Sequence, residues 1–265
     1  MTQRLALLIC FICCSTFAGP VATTNLLLNP GAESNSLANW LAGGDSGPRV
    51  DNGTFDSGIK PHSGTNDFLG GHGSVGTLTQ IVPLVGNPGV TAVSIDSGTL
   101  LAYVSFWEQG LSQGTPSDDG YVNLIFMDAT SNSISVWASP EIDSHSGAWS
   151  NYSAYLPIPA GTRFIQYTMN FVLHQGFDLD AFVDDNVLAV TDSIQKPALS
   201  VNASPTNTVV SWPTAYSDGF QLLQNTNLAG TNWTPVATPF QISNGLNRVT
   251  FSVPPPNQFF RLHHP

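Results

Sequence analysis

The chain has 265 residues, only 9% of them charged, and its 18 acidic against 7 basic side chains give a formal net charge of −11. That sign excludes a surface built for nucleic acid, whose phosphates would be repelled, and gives no support to docking on anionic lipid. Cys10, Cys13 and Cys14 are the only cysteines and all precede Ser15, so the remaining chain has no thiol for a disulfide, a thiolate metal site or cysteine catalysis.

Taken in order, the first segment reads as a targeting signal. Arg4 supplies a positive start, Leu5 to Cys14 an apolar core, and Thr16-Phe17-Ala18 a small-residue cleavage site. The run is too short to span a bilayer, so residues 1–22 are expected to be removed on secretion, leaving no membrane span in the mature chain.

The mature chain opens with Asn25-Leu26-Leu27-Leu28-Asn29-Pro30-Gly31-Ala32-Glu33, an apolar run ending in glycine and a carboxylate. It is answered much later by Phe182-Val183-Asp184-Asp185-Asn186-Val187-Leu188. The pair suggests first and last strands lying side by side and sharing a cation, since a hard cation collects carboxylate and carbonyl oxygens. The alternative is that Glu33 is a turn acid and Asp184 and Asp185 a solvated strand end. Because neighbouring strand residues point to opposite faces, only one of the two aspartates can ligate unless a bulge intervenes.

Between these ends, short alternating runs are separated by turn clusters such as Gly43-Gly44-Asp45, Asp51-Asn52-Gly53 and Ser117-Asp118-Asp119-Gly120. No segment keeps a helical period, and the pattern predicts an all-β protein whose first domain, residues 23–194, is a jelly-roll β-sandwich. Four strands alternate cleanly. Ala102, Val104 and Phe106 oppose Tyr103 and Trp107; Val122, Leu124 and Phe126 oppose Tyr121 and Asn123. Ile134, Val136 and Ala138 oppose Ser135 and Trp137; Ile165, Tyr167, Met169 and Phe171 oppose Gln166 and Asn170. If these strands share a sheet, its open face gathers Tyr103, Trp107, Tyr121, Asn123, Trp137, Gln166 and Asn170. Rings that lie against sugar C–H faces and amides that bond hydroxyls make this set a candidate carbohydrate platform. The competing reading is that the rings cover the sheet against a loop or the tail. Trp149, Tyr152 and Tyr155 form a rival site at the loop end.

Gln195-Lys196-Pro197 reads as a linker into residues 195–265. There about six short strands, with Trp212, Trp233, Phe251 and Phe259 as core, predict a small fibronectin/immunoglobulin-like β-sandwich. Seventeen of the 18 acids precede it, so the acidity belongs to the first domain.

Several short motifs stand in a particular order: Asn25 to Glu33 then Trp40, Pro61-His62-Ser63-Gly64 leading to Phe68-Leu69-Gly70-Gly71, Gln80, Pro159 to Arg163, and Asp185-Asn186-Val187. That order resembles the galactose-binding-like jelly-roll domains found as carbohydrate-binding modules and in secreted bacterial surface proteins. The resemblance implies a structural calcium between the opening and closing strands, held by Glu33 and Asp185 or Asp184, with backbone oxygens near Ser63 and Gly64. It also implies a secreted, non-catalytic protein that binds a polysaccharide or cell-surface glycan. A structural or adhesive surface protein is the second reading and a polysaccharide-degrading enzyme the third.

For that third reading, Glu108 with Glu141, or Tyr167 with His174, are the residues on offer, and nothing in the sequence sets them apart from ordinary surface positions. His62, His72, His145 and His174 show no metal-binding spacing. Asp118-Asp119-Gly120 reads as a hairpin turn, with a second cation as the alternative.

Overall fold

The computed structural model describes residues 22–142, 148–192, 197–204, 206–214, 217, 220–228, 230–243, 246–251 and 258–263. Residues 1–21 of the expected targeting segment, His145, and Gln195 and Lys196 of the expected linker lie outside the described residues.

Two five-stranded antiparallel sheets face one another. The first runs β1 (Leu41–Gly44), β4 (Val75–Pro83), β9 (Phe164–Val172), β6 (Asp119–Met127), β7 (Ser133–Ala138). The second runs β2 (Arg49–Asp51), β3 (Asp67–His72), β10 (Asp178–Thr191), β5 (Leu101–Gly110), β8 (Ser150–Pro157). This is the expected jelly-roll sandwich. Alternation places Ala102, Val104 and Phe106 of β5 against Val122, Leu124 and Phe126 of β6 and Ile165, Tyr167, Met169 and Phe171 of β9 in one core. One five-residue helix, α1 (Ala92–Asp96), is closed by a reciprocal Thr91–Ser94 capping box.

The opening segment does run beside β10, but not as a regular strand. Thr23 and Leu26 donate backbone N–H to Val190 and Leu188 at 2.9 and 2.8 Å, while side chains replace the other rungs. Asn25 Oδ1 accepts from Leu188 N, Asn25 Nδ2 donates to the Asn186 carbonyl, and Thr23 Oγ1 accepts from Val190 N. Gln80 of β4 clamps Leu28 from the other side, accepting its N–H and donating to its carbonyl.

β10 carries a bulge between Asp184 and Val187, where three steps along β10 match two along β5. Asp185 takes a positive φ of 48° there. The extra residue switches the inward positions from Leu179, Ala181 and Val183 to Leu188 and Val190. It also turns Asn186 into the core, where its Oδ1 accepts from Tyr167 Oη at 2.8 Å and its Nδ2 donates to the Pro30 carbonyl.

β7 contradicts the expected facing. Its register with β6 pairs Trp137 with Leu124 and Ser135 with Phe126, so Trp137 packs against the core, and Ile134 and Val136 are 41% and 62% exposed. As an edge strand it takes its orientation from its one neighbour, and the single bulky ring fills the core margin.

The tail forms a four-stranded sheet, β11 (Ser200–Ala203), β12 (Thr208–Pro213), β16 (Leu246–Phe251), β15 (Gln241–Ser243). A three-stranded one, β14 (Thr234–Pro235), β13 (Gln221–Asn225), β17 (Phe259–His263), completes it. Val210, Trp212, Leu222 and Val249 form its core, with Phe251, Phe260 and Leu262 packed against it. Phe260 replaces the expected Phe259 because alternation along β17 turns Phe260 and Leu262 inward together. Trp233 stacks under the Arg261 guanidinium, 4.5 Å from its ring centre, instead of joining the core.

Candidate functional site

The β10 bulge presents both aspartates to one loop. Ser63 N donates to Asp184 Oδ2 at 3.1 Å, Ser63 Oγ to Asp185 Oδ1 at 2.8 Å, and His62 Nδ1 lies 2.7 Å from Asp185 Oδ2. Glu33 holds the next turn of the same loop, accepting from Thr65 N, Thr65 Oγ1 and Asn66 N at 2.9–3.2 Å. Two glycines permit this close approach. A Cβ on Gly31 would stand 3.0 Å from Asp184 Oδ1, and one on Gly64, at φ +63°, 2.4 Å from the Glu33 carboxyl carbon. Gly64→Ala is therefore expected to cost roughly 1–2 kcal/mol from the left-handed backbone alone, read from the urea midpoint. No change in midpoint would show that the Glu33 staple is not rigid.

Ser63 meets the acids as a hydrogen-bond donor, and Gly64 serves as the gap into which Glu33 fits. Glu33, Asp184 and Asp185 are each engaged by the 62–66 loop. Among the described residues, the three side chains whose ligand atoms lie within 4.8 Å of one another are Asp119, Glu141 and His174.

What the sequence reading missed is Asp67. It is fully buried on the outward side of β3, beside Asp51 of β2, and neither of its carboxylate oxygens has a hydrogen-bond partner. Burial, then the Asp51 and Glu33 charges, push it up to about 8; burial, then Asp185, push the wholly buried Asp184 up to about 9. Asp67 carried no motif, standing as a single acid before Phe68-Leu69-Gly70-Gly71. Farther along the same sheet, Asp180 is pushed up to about 7 by burial and then by the Asp56 charge.

The seven-residue platform is divided by the fold. Tyr121, Asn123, Gln166 and Asn170 come together on the outward face of the β1-β4-β9-β6-β7 sheet. Tyr121 pairs with Asn170 across β6 and β9, and Asn170 Nδ2 donates to Asn123 Oδ1 at 2.7 Å. All four are half-buried, and Thr77 and Thr79 extend the polar strip along β4.

Tyr103 and Trp107 belong to the opposite sheet. Tyr103 is buried against Tyr155, ring centres 4.9 Å apart, and Trp107 is stacked on His62 at 3.8 Å. Trp137 points to the core side. Period two tells which residues share a face of one strand, not which sheet the strand joins. The rival loop site is likewise structural in part, since Trp149 Nε1 donates to the Lys60 carbonyl and Tyr152 packs on the core.

The acidic turn is an organiser. Buried Asp118 accepts from the backbone N–H of His174, Gln175 and Asp180 at 2.7–2.9 Å. This brings His174 Nε2 within 3.2 Å of Asp119 and 3.9 Å of Glu141, a meeting that sequence spacing did not reveal. Of the catalytic candidates, Glu108 is wholly buried and Tyr167 lies in the core bonded to Asn186. Neither presents a side chain to a substrate from there.

Among the described residues no helix is long and apolar enough to cross a membrane. No family model matches the chain, and no curated protein matches it. Solved structures are similar at low identity. A family 16 carbohydrate-binding module has 14% identity and a TM-score of 0.41, over 62% of this chain and 99% of that one. The second family 22 xylan-binding domain of Paenibacillus barcinonensis Xyn10C has 14% identity and a TM-score of 0.37, over 64% and 98%. The enzymatically active domain of bacteriophage CBA120 tailspike protein 4 has 12% identity and a TM-score of 0.43 over 62% of this chain, which spans about a fifth (21%) of the tailspike's length.

Proposed function

We propose that this is a secreted, non-catalytic carbohydrate-binding protein whose jelly roll is braced by a calcium ion. The observation that carries the reading is the outward strip of Tyr121, Asn123, Gln166 and Asn170, one ring beside three amides on a sheet face open to solvent. An aromatic ring meets the C–H face of a sugar while amides exchange hydrogen bonds with its hydroxyls.

The cation reading rests on the carboxylates. Asp67 and Asp184 are buried beside Asp51, Glu33 and Asp185, and Asp67 keeps two oxygens without a donor. An unpaired buried charge is costly, and a hard cation with oxygen ligands answers that cost. Asp67, Asp184, Asp185 and Glu33 would hold it. The chain's own part is to keep the 62–66 loop on β10 and so tie the sandwich ends together.

Affinity electrophoresis through gels containing neutral polysaccharides tests the binding. The wild type is expected to be retarded, and Tyr121→Ala to bind at least about tenfold more weakly, because truncating a central aromatic contact removes roughly 1.4 kcal/mol or more. Adhesion to protein is the second reading, favoured by exposed Leu41, Ile81 and Val136 around the strip. Free migration of the wild type through every gel would favour it.

A further inference from the structure

We infer that the tail domain completes a second saccharide site, in a cleft between it and the jelly roll. The inference extends the proposed carbohydrate reading to residues outside the open strip. The cleft encloses about 810 Å³, within the range of small-ligand pockets. Its jelly-roll wall is Trp107, stacked on His62, with Asn151 beside it on β8; Asn151 is the register partner of Trp107. Its tail wall is Phe240 and Ile242, 52% and 63% exposed, with Gln221 alongside. Buried Trp212 supports Phe240 edge-on, ring centres 5.8 Å apart.

Three features select the ligand class. Rings stand on both walls, which suits a flat sugar ring held between domains better than a flat contact on one of them. Between the rings lie neutral polar groups, the Gln221 amide, the Ser153 and Thr214 hydroxyls, and Asn151, whose Nδ2 donates to Ser105 Oγ and the Phe106 carbonyl. Among the described residues no lysine or arginine lines the cleft, and Asp185 does, so an anionic ligand such as a phosphate, a uronate chain or nucleic acid meets repulsion without a counter-charge. A neutral oligosaccharide satisfies all three. The loop residue His62, fixed by Asp185 at 2.7 Å, sets the pose of Trp107, so this site shares a rim with the carboxylate cluster.

The test is titration calorimetry of the full chain with short and long cello-, xylo- and manno-oligosaccharides. Wild type is expected to show two classes of site, with Phe240→Ala weakening one and Tyr121→Ala the other. Phe240 is exposed, so its truncation leaves the fold intact, as an unchanged melting temperature verifies; Trp107→Phe supplies the opposite wall. Each cleft variant is expected to weaken its class about tenfold. If Phe240→Ala and Trp107→Phe both titrate as wild type while Tyr121→Ala loses affinity, the cleft inference is overturned and the open strip stands. If only the cleft variants lose affinity, the cleft stands and the strip falls. An absence of heat from the wild type with every sugar overturns both.

Discussion

Chelation is expected to lower the melting temperature, and calcium to restore it. Free calcium at about a hundredfold over its dissociation constant adds about 2.7 kcal/mol to the folded state, or roughly 5–10 °C for a chain of this size. Asp67→Asn should abolish the response and make the metal-free protein more stable, because it removes a buried charge that lacks a donor.

The pH dependence follows from the same groups. Asp67, Asp184 and Asp180 have folded values near 8, 9 and 7, above their unfolded range. The folded state thus binds more protons than the unfolded one, and the stability they contribute is fully present below about pH 4. In chelator, melting temperature should fall as pH rises from about 4 to about 9. Asp128, held near 2 by the Asn132 backbone and the Thr130 hydroxyl, titrates below this window and does not oppose the trend. Calcium should flatten the slope, since it favours the charged carboxylates. A melting temperature indifferent to chelator across this range would remove the cation from the account.

The second large effect is at Asn186. Asn186→Ala takes away the acceptor of the fully buried Tyr167 hydroxyl and the donor to the Pro30 carbonyl. A stranded buried hydroxyl plus a lost hydrogen bond cost about 3 kcal/mol, a fall of roughly 10 °C in melting temperature. Tyr167→Phe in the same background should recover part of this, because the stranded group is gone. The double variant is then less destabilised than the sum of the singles. Strict additivity would mean that the bulge is not secured by this pair, and that the tie between opening segment and closing strand comes from Asn25 and Thr23 instead.

That bulge marks where sequence reasoning reached and where it stopped. Strands β5, β6 and β9 were legible because each alternates apolar and polar residues over many positions, and a half-buried strand permits little else. The meeting of the opening segment with the closing strand was legible from their matched ends. Which way β7 faces was not, because its apolar residues outnumber its one tryptophan, and the register imposed by β6 decided in favour of the ring. Sheet membership was equally hidden: Trp107 and Tyr121 each stand on the polar side of an alternating strand and end on opposite sheets.

Asp67 shows the limit for sites. Asp184 and Asp185 stood out as neighbours, whereas Asp67 joins them only once β3 pairs with β10. The 174–119–141 meeting likewise needs Asp118 to draw one loop across another. A carboxylate cluster assembled across strands has no spacing to read in the chain.

The measurement closest to the central claim is the heat of binding of the full chain to a neutral polysaccharide, wild type against Tyr121→Ala and Asn170→Ala at matched melting temperatures. The account predicts saturable heat from the wild type and its loss or marked weakening in both variants. Undiminished binding by both variants would contradict the open strip, and a wild type that binds no sugar would contradict the function itself.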